Sequence, residues 1–411
     1  MRRARPILVL LAVTAALLTA CTSVRHGQAP GGSRTPSVPG SSQPPTPPST
    51  PPSTQPAPPP AALVAPLAAG ERWIDLPMPG GSYRPQAPPG ATDDYRCILL
   101  DPHLTRAAYL SGAVLEPGNP KIVHHAILYR IPPDQVAAAE AKDAGDPRLG
   151  WSCFGDVGVR SQSDPSALGF LDSAPWVAAW ATRGGEQRFA AGTGELLAAG
   201  SRIVLQMHYN LLAGKGTDDT RVRLRIAPRS AHLTGLQTML LPAPVELPCV
   251  SGQSGPLCDR TAALLNLQQR FGPQAGATVA GLQLLCGGSL TDPRGGATQS
   301  CTRPAPHLMR IRAVAGHMHL LGRTIRIDLL RADGATRRLL DVKVWDFDNQ
   351  SATVLPHPVT VRPGDRLRVT CTHDASLRDQ IPELRTLPER YVMWGEGTAD
   401  EMCLGIVSYT S

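Results

Sequence analysis

The stretch "RIRAVAGHMHLLGR", residues 310–323, places two histidines one residue apart inside a run of otherwise mostly apolar residues. A run of this kind is typical of a β-strand that is buried on at least one face. Side chains at positions i and i+2 of a strand point the same way, with Cβ atoms roughly 6–7 Å apart. His317 and His319 can therefore converge on one metal ion from one face of a sheet.

Runs of strand length, broken by Pro, Gly and Asp, continue on both sides of this stretch from about Leu67 onward. The segments "RVRLRIA" (221–227) and "TIRIDLL" (324–330) alternate with the two-residue period of half-buried strands. Only residues 133–145 and 259–272 have a helical pattern, and the second lies among four cysteines. We therefore predict an all-β protein of two β-sandwich domains joined near residues 229–233, with a small disulfide-stapled helical insertion in the second domain. No glycine-rich nucleotide loop follows a strand and opens a helix, so a nicotinamide or flavin cofactor is not expected.

The first 66 residues have the composition of a signal peptide followed by an extended stalk. Residues 1–20 combine a basic start with an apolar run too short to span a membrane, which predicts a signal peptide. The small residues before Cys21 resemble a bacterial lipobox, so we predict lipidation of Cys21; the alternative is an ordinary signal peptide with an incidental cysteine. Residues 21–66 are rich in Pro, Ser and Thr and predict an extended stalk. The protein is thus expected on the outer face of the bacterial cytoplasmic membrane, held in the cell envelope by the lipid alone.

Charge and cysteine content narrow the function further. The net charge is +7, but the arginines are scattered with no basic cluster, so nucleic-acid binding is not expected. Nine cysteines less Cys21 leave eight, the pattern of a disulfide framework in an exported chain. No pair is spaced C-x-x-C, and the spacing alone leaves the pairing of the eight open.

Two further histidine positions stand out, "KIVHHAILYR" with His124 and His125 and "IVLQMHYN" with His208. Adjacent histidines point to opposite faces of a regular strand, so they can share an ion only at a strand end or bulge, or through different ring nitrogens. A lone strand histidine such as His208 is more often a satisfied polar residue than a metal ligand. Each motif taken singly therefore has a structural alternative.

The C-terminal segment "YVMWGEGTADEMCLGIVSYTS" adds a "DEMC" turn with Met402. With the motifs before it, the sequence resembles the copper type II, ascorbate-dependent monooxygenases, the family of peptidylglycine α-hydroxylating and dopamine β-monooxygenases. In order, the chain has the histidine pair, "LQMHY", "HMHLLG" and "DEMC". The resemblance runs from about Cys97 to the C-terminus, interrupted by residues 249–301.

The resemblance implies two copper ions per chain, each bound by three side chains. One ion would be held by His124, His125 and His208, and the other by the catalytic set His317, His319 and Met402. Thioether sulfur favours Cu(I), which suits a site that activates O₂, while a three-histidine site suits electron relay. The family also implies jelly-roll-like sandwiches, one copper site in each domain (67–231 and 232–411), with the second electron crossing the gap between them.

The resemblance also implies the disulfides Cys97–Cys153 and Cys371–Cys403. Elimination then leaves Cys249–Cys258 and Cys286–Cys301 as local pairs within the insertion. We expect a monomer that uses O₂, a small-molecule substrate and an external reductant, ascorbate or an equivalent, to hydroxylate a C–H bond.

Two other functions are compatible with parts of this pattern. A surface lipoprotein that binds or buffers copper would keep the fold without turnover, but it would need neither split ligand sets nor a methionine at only one of them. A zinc hydrolase would need a carboxylate base of the H-E-x-x-H type, which is lacking, and would make little use of Met402.

Substrate preference is predicted from three positions. In the peptide-hydroxylating relatives an arginine before the H-x-H pair, and an asparagine and a tyrosine after the methionine, grip a substrate carboxylate; here the matching residues are Ala315, Leu404 and Ile406. Arg312 lies an odd number of residues before His317, so a regular strand would point it to the opposite face. We therefore expect negligible activity on C-terminal glycine peptides and a preference for a less polar substrate.

Overall fold

A computed structural model describes residues 64–153, 156–159, 171–172, 175–181, 185–212 and 214–411. The signal peptide, the lipidation site Cys21 and the stalk up to residue 63 lie outside these residues. The described part belongs to one compact unit, Pro58–Ser411. Its helices are few and its strands many, which confirms the all-β class.

The strands fall into two sets along the chain. The first set is β1 Arg72–Leu76, β2 Asp93–Leu100, β3 Ala108–Glu116, β4 Val123–Ile131, β5 Trp151–Ser152, β6 Trp176–Ala181, β7 Gln187–Arg188, β8 Thr193–Leu197, β9 Arg202–Asn210, β10 Arg221–Pro228 and β11 Thr234–Gly235. The second set is β12 Gln237–Pro242, β13 Glu246–Leu247, β14 Thr298–Pro304, β15 Met309–His317, β16 Gly322–Leu330, β17 Thr336–Val342, β18 Thr353–Val361, β19 Arg366–His373, β20 Val392–Met393 and β21 Leu404–Thr410. The helices are α1 Val136–Gly145, α2 Arg260–Phe271 and α3 Pro273–Leu285.

Each set of strands forms two main sheets around its own core. In the first set, sheet β1-β10-β3-β8-β11 and sheet β5-β2-β9-β4-β6 share a cluster of buried aliphatic residues, among them Leu110, Leu128 and Leu224. In the second set, sheet β12-β21-β15-β18 and sheet β14-β19-β16-β17 share another, among them Ile327 and Val407. Among the described residues, no strand ladder joins the two sets.

A pair of glycines brings the two sheets of the second set close together beside His317. Gly316 and Gly405 are opposite each other on β15 and β21. A Cβ on Gly316 would lie 2.8 Å from Ile325 Cγ2, and one on Gly405 would lie 3.1 Å from Ile327 Cδ1. Any larger residue at Gly316 would push β16 away from the strand that ends in His317.

The predicted helical insertion contains two helices rather than one. Residues 259–272 form α2 as expected, and its start is capped because Asp259 Oδ1 accepts from the Ala262 amide at 2.8 Å. The second helix, α3, was not expected, because Gly276 and Gly281 interrupt its pattern. Its Pro273 stands at the first turn, where a missing N–H costs nothing.

The described cysteines form four disulfides, which are the four predicted pairs. They are Cys97–Cys153, Cys249–Cys258, Cys286–Cys301 and Cys371–Cys403. Such a framework is typical of exported proteins. None of the described helices has the length and apolar character needed to cross a membrane.

Candidate metal centre

His124 and His125 lie near the start of β4, and His208 lies opposite them on β9. The register between these strands shifts between Val123 and His125, which is a bulge at His124. A bulge lets two consecutive side chains turn to one side of a sheet, which a regular strand forbids. The bulge is one of the conditions that the sequence analysis set for the two histidines to share an ion.

The three imidazoles form a compact buried cluster. Each of them offers a ligand atom within 4.8 Å of the other two, and all three residues are buried. His124 Nδ1 is 3.2 Å from His208 Nδ1. Tyr95 stacks on His208 with ring centroids 4.1 Å apart, and Phe347 stacks on His124 at the same separation.

Asp93 fixes which nitrogen of His208 faces the cluster. His208 Nε2 lies 2.8 Å from Asp93 Oδ1, and a carboxylate only accepts, so Nε2 carries the proton. The Nδ1 lone pair is then directed toward His124. Asp93 is itself held by Thr398, whose hydroxyl donates to Oδ1 at 2.5 Å and whose amide donates at 3.2 Å.

Burial keeps the three imidazoles neutral and able to bind a metal. It lowers the pKa of His124 and of His125 well below the ordinary value, and the neighbouring histidines lower both further. Burial also lowers the pKa of His208, although Asp93 opposes it. Burial alone would raise the pKa of Asp93, but its hydrogen bonds from His208 and Thr398 hold that pKa below the usual range.

His317 and His319 also converge, although the strand ends between them. His317 is the last residue of β15 and His319 lies in the following turn, yet their ring centroids are 5.2 Å apart. His317 Nδ1 donates to Gln350 Oε1, and His319 Nδ1 donates to the Asp400 carbonyl at 3.2 Å. Because both Nδ1 atoms are used, both Nε2 lone pairs are available. Burial lowers the pKa of His317 to about 3, and the neighbouring His319 contributes to this shift.

Met402 lies in the turn that precedes β21 and lines the same cavity as His317. The disulfide of the next residue, Cys403, joins this turn to Cys371 on β19. The turn is also held by Glu401, a carboxylate with no exposed surface. Its Oε1 accepts from the Leu321 amide at 2.6 Å, and its Oε2 accepts from the amides of His319 at 2.9 Å and Met402 at 3.1 Å.

The Glu401 carboxylate therefore joins the H-x-H turn to the methionine turn. Burial alone would raise the pKa of Glu401, but its hydrogen bond with His373 lowers that pKa. His373, which the sequence analysis leaves as structural, is buried with Nε2 3.4 Å from Glu401 Oε2 and 3.1 Å from the Met402 carbonyl. Burial would lower the pKa of His373, but Glu401 raises it above the ordinary value.

A buried ion pair ties the methionine turn to the insertion. Arg270 of α2 donates Nη1 to Asp400 Oδ2 at 2.9 Å and Nη2 to Asp400 Oδ1 at 2.6 Å. Asp400 is the residue whose carbonyl accepts from His319 and which stands two places before Met402. The insertion is therefore part of the support of this ligand set.

The two histidine sets lie side by side. The rings of His125 and His317 are 5.3 Å apart, so no gap separates the sets at this point. The loop between β17 and β18 touches both, because it places Phe347 on His124 and Gln350 on His317.

A large cavity of about 790 Å³ opens beside these residues and is lined by His125, His317 and Met402. We call it the main chamber. Its other walls include Trp151 and Trp176 from the first set of strands. A volume of this size is within the usual range for small-molecule sites, roughly 300–1,000 Å³.

The prediction that Arg312 points to the face opposite His317 is wrong. The register of β15 shifts between Ile311 and Ala313, and this bulge changes the alternation, so that Arg312, like Ala315 and His317, is partly exposed. Arg312 therefore does not point to the opposite face. It lines a smaller cavity of about 230 Å³ together with Ala315 and Ile406, and its Nε donates to Thr410 Oγ1 at 3.2 Å.

The side chains of both sets have chemistry that suits metal binding. His319 Nε2 is buried and has no hydrogen-bond partner among the described residues, although a buried nitrogen normally has one. A metal ion would satisfy it. The first set offers imidazole nitrogens, and the second adds the thioether of Met402, a soft ligand suited to Cu(I).

Sequence reasoning missed the residues that orient these ligands, chiefly Asp93, Thr398, Glu401 and Gln350. For Asp93 the signal is weak, an acidic pair at the start of an otherwise mostly apolar strand. For Glu401 it is stronger, since a carboxylate stands next to a methionine ligand candidate and a cysteine. Second partners of ligand histidines are commonly carboxylates or carbonyl groups.

Comparison with known proteins points the same way. Residues 295–411 match the family model described as "Copper type II ascorbate-dependent monooxygenase, C-terminal domain". The mouse DBH-like monooxygenase protein 2 is 31% identical over 94 residues, 23% of this chain and 14% of the relative. Its human counterpart is 30% identical over 93 residues, 23% of this chain and 17% of the relative. The chain thus spans less than a fifth of these relatives. A bacteriophage PM2 capsid protein, P2, aligns with 83% of this chain and 97% of its own at 11% identity, with a TM-score of only 0.27.

Proposed function

We propose that this chain, whose residues 295–411 match the C-terminal domain of the copper type II ascorbate-dependent monooxygenases, is an exported monooxygenase of that family. It hydroxylates a C–H bond of a small molecule with O₂ and a one-electron reductant such as ascorbate. The observation that carries the proposal is that hydrogen bonds determine which ring nitrogen is protonated in three candidate ligand histidines. Asp93 leaves Nδ1 of His208 free, while Gln350 and the Asp400 carbonyl leave Nε2 of His317 and His319 free.

In this proposal one copper ion is bound by His124, His125 and His208. The other copper ion is bound by His317, His319 and Met402. Bound copper would supply single electrons and the capacity to reduce O₂. Burial keeps four of these imidazoles neutral, and hydrogen bonds orient three of them before a metal arrives, which lowers the entropy lost on binding. The main chamber supports turnover rather than copper buffering, because a buffer needs no substrate-sized space beside Met402. We assign one site to each of two jelly-roll-like domains of a monomer, since the strand ladders separate near residue 236.

Copper content and a single methionine variant test this function. The purified domain, from about residue 67, should retain two copper ions per chain after dialysis. Met402→Ile should weaken Cu(I) binding at one site and abolish ascorbate-dependent O₂ consumption over a panel of small amines, peptides and lipids, while the other site stays filled. One copper per chain, a preference for zinc, or full turnover by Met402→Ile would contradict the proposal.

We also propose that Cys21 carries the lipid that anchors the protein to the cell envelope. Each buried CH₂ of an acyl chain contributes about 0.8 kcal/mol to membrane binding, so the anchor alone can hold a soluble domain. Cys21→Ser should move the protein from the membrane fraction to the medium or periplasm, as followed by fractionation. Unchanged membrane association would refute the anchor and leave the copper chemistry untouched.

A further inference from the structure

The insertion, residues 249–301, does more than support the methionine turn, because it also forms a wall of the main chamber. Phe271 at the end of α2 lines the chamber, and so do Ala275, Thr278 and Leu282 of α3. In a helix, residues spaced by three, four and seven positions lie on one face. The chamber-facing side of α3 is therefore a continuous surface, and at Ala275 and Thr278 it carries short side chains.

Other parts of the lining come from the first half of the chain, namely Trp151 of β5, Trp176 of β6 and Val157 between them. Trp394, between β20 and Met402, adds a further aromatic ring. Aromatic and aliphatic groups thus meet from three separate parts of the chain. A molecule held here exchanges water for apolar contacts, worth roughly 25 cal/mol for each Å² of apolar surface buried.

The charged side chains on the described lining are few and do not favour an anion. They are Lys142, Asp156 and Glu396, one cation against two carboxylates. Among the described residues no arginine lines the chamber; Arg270 pairs with Asp400, and Arg312 lines the smaller cavity. An anion inside these walls would meet two carboxylates and one lysine, and a cation would compete with the interactions that Asp156 and Glu396 already make within the protein.

We propose that the α3 face of the insertion is the specificity-determining wall of the substrate site, and that the substrate is an uncharged, largely apolar molecule with a ring-sized body. Only the identification of this occupant as the substrate rests on the proposed function. The short side chains at Ala275 and Thr278 set the width of the chamber.

The test measures ligand binding to copper-free protein, so its outcome is independent of copper loading and turnover. The neutral fluorescent probe N-phenylnaphthylamine is titrated and then displaced by naphthalene, by naphthoate or by naphthylmethylammonium. Naphthalene should displace the probe at least tenfold more effectively than either charged analogue. Equal or better displacement by the anion or the cation would overturn the assigned substrate class.

The wall itself is tested by placing a large side chain on either face of α3. Ala275→Trp should weaken probe binding at least tenfold, whereas Ala277→Trp, on the exposed face of the same helix, should leave it unchanged. Thr278→Leu, a smaller intrusion, should weaken the binding to an intermediate degree. Circular dichroism tests whether each variant is folded. If Ala275→Trp does not fold, the probe affinity of Thr278→Leu tests the wall instead. Unchanged probe affinity in a folded chamber-facing variant would refute the wall. Loss of two-copper binding with probe binding intact would refute the proposed function alone.

Discussion

Asp93 shows how one buried carboxylate can orient a candidate metal ligand. It accepts from His208 Nε2 and from both the hydroxyl and the amide of Thr398, so its position does not depend on the metal. Thr398 belongs to the segment just before Met402. The partner of a ligand in the first histidine set is therefore held by the chain segment that carries the second set.

Asp93→Asn should weaken copper binding at His124, His125 and His208 by about tenfold to a hundredfold, the usual effect of removing such a partner. An amide can present N–H to Nε2 and so favour the wrong tautomer. Asp94→Asn is the matched control, since Asp94 is equally buried but accepts from Tyr83 and the Gln86 amide instead. Copper titrations of both variants decide the matter, and equal losses would refute an orienting role for Asp93.

The sequence was sufficient to select ligand candidates but not their partners. His208 could be singled out because a histidine in an apolar strand is unusual. Asp93 could not, because it stands 115 positions away and meets His208 only through the pairing of β2 with β9. The predicted direction of the Arg312 side chain was wrong for a related reason. A β-bulge depends on tertiary structure, and the alternation of apolar and polar residues does not reveal it.

At the scale of elements, α2 connects the insertion to the metal centre. Its two arginines make similar contacts with different consequences. Arg270 pairs with Asp400 in the methionine turn, whereas Arg260 pairs with Glu246 of β13, with Nε and Nη2 at 2.7 and 2.6 Å from the carboxylate. The second helix escaped prediction because its chamber face is built from Ala and Thr, between glycines, and gives little amphipathic pattern.

Arg270→Met should destabilise the fold by about 3–5 kcal/mol, because it leaves the buried Asp400 carboxylate without its main partner. It should also weaken Cu(I) binding by the set that contains Met402, since Asp400 positions both that turn and His319. Arg260→Met is the control, and it should cost stability without changing Cu(I) affinity. Chemical denaturation and Cu(I) competition titrations separate the two effects. Equal Cu(I) affinity in both variants would show that Arg270 is only structural.

At the scale of the whole molecule, the candidate centre is assembled from both sets of strands. His125 meets His317, and the loop carrying Phe347 and Gln350 contacts a histidine of each set. The all-β class and the helical insertion followed from alternation and composition. The side-by-side placement of the candidate ligand sets did not, because it depends on how the two sets of strands pack.

The same packing separates Arg312 from the candidate methionine ligand, Met402. Arg312 lines the smaller cavity with Ala315 and Ile406, whereas Met402 and Leu404 line the main chamber. A substrate carboxylate held by Arg312 would thus lie in a different cavity from Met402, and a carboxylate in the chamber would find only the exposed Lys142 as a cation on the described lining, beside two carboxylates. We therefore expect negligible hydroxylation of C-terminal glycine peptides, measured by mass spectrometry with ascorbate and O₂, even where copper is fully bound.

Arg312→Ala should leave turnover of a neutral substrate unchanged. Efficient conversion of a glycine-extended peptide that is lost in Arg312→Ala would show instead that the smaller cavity holds the carboxylate and that the substrate reaches the copper ligands from that side.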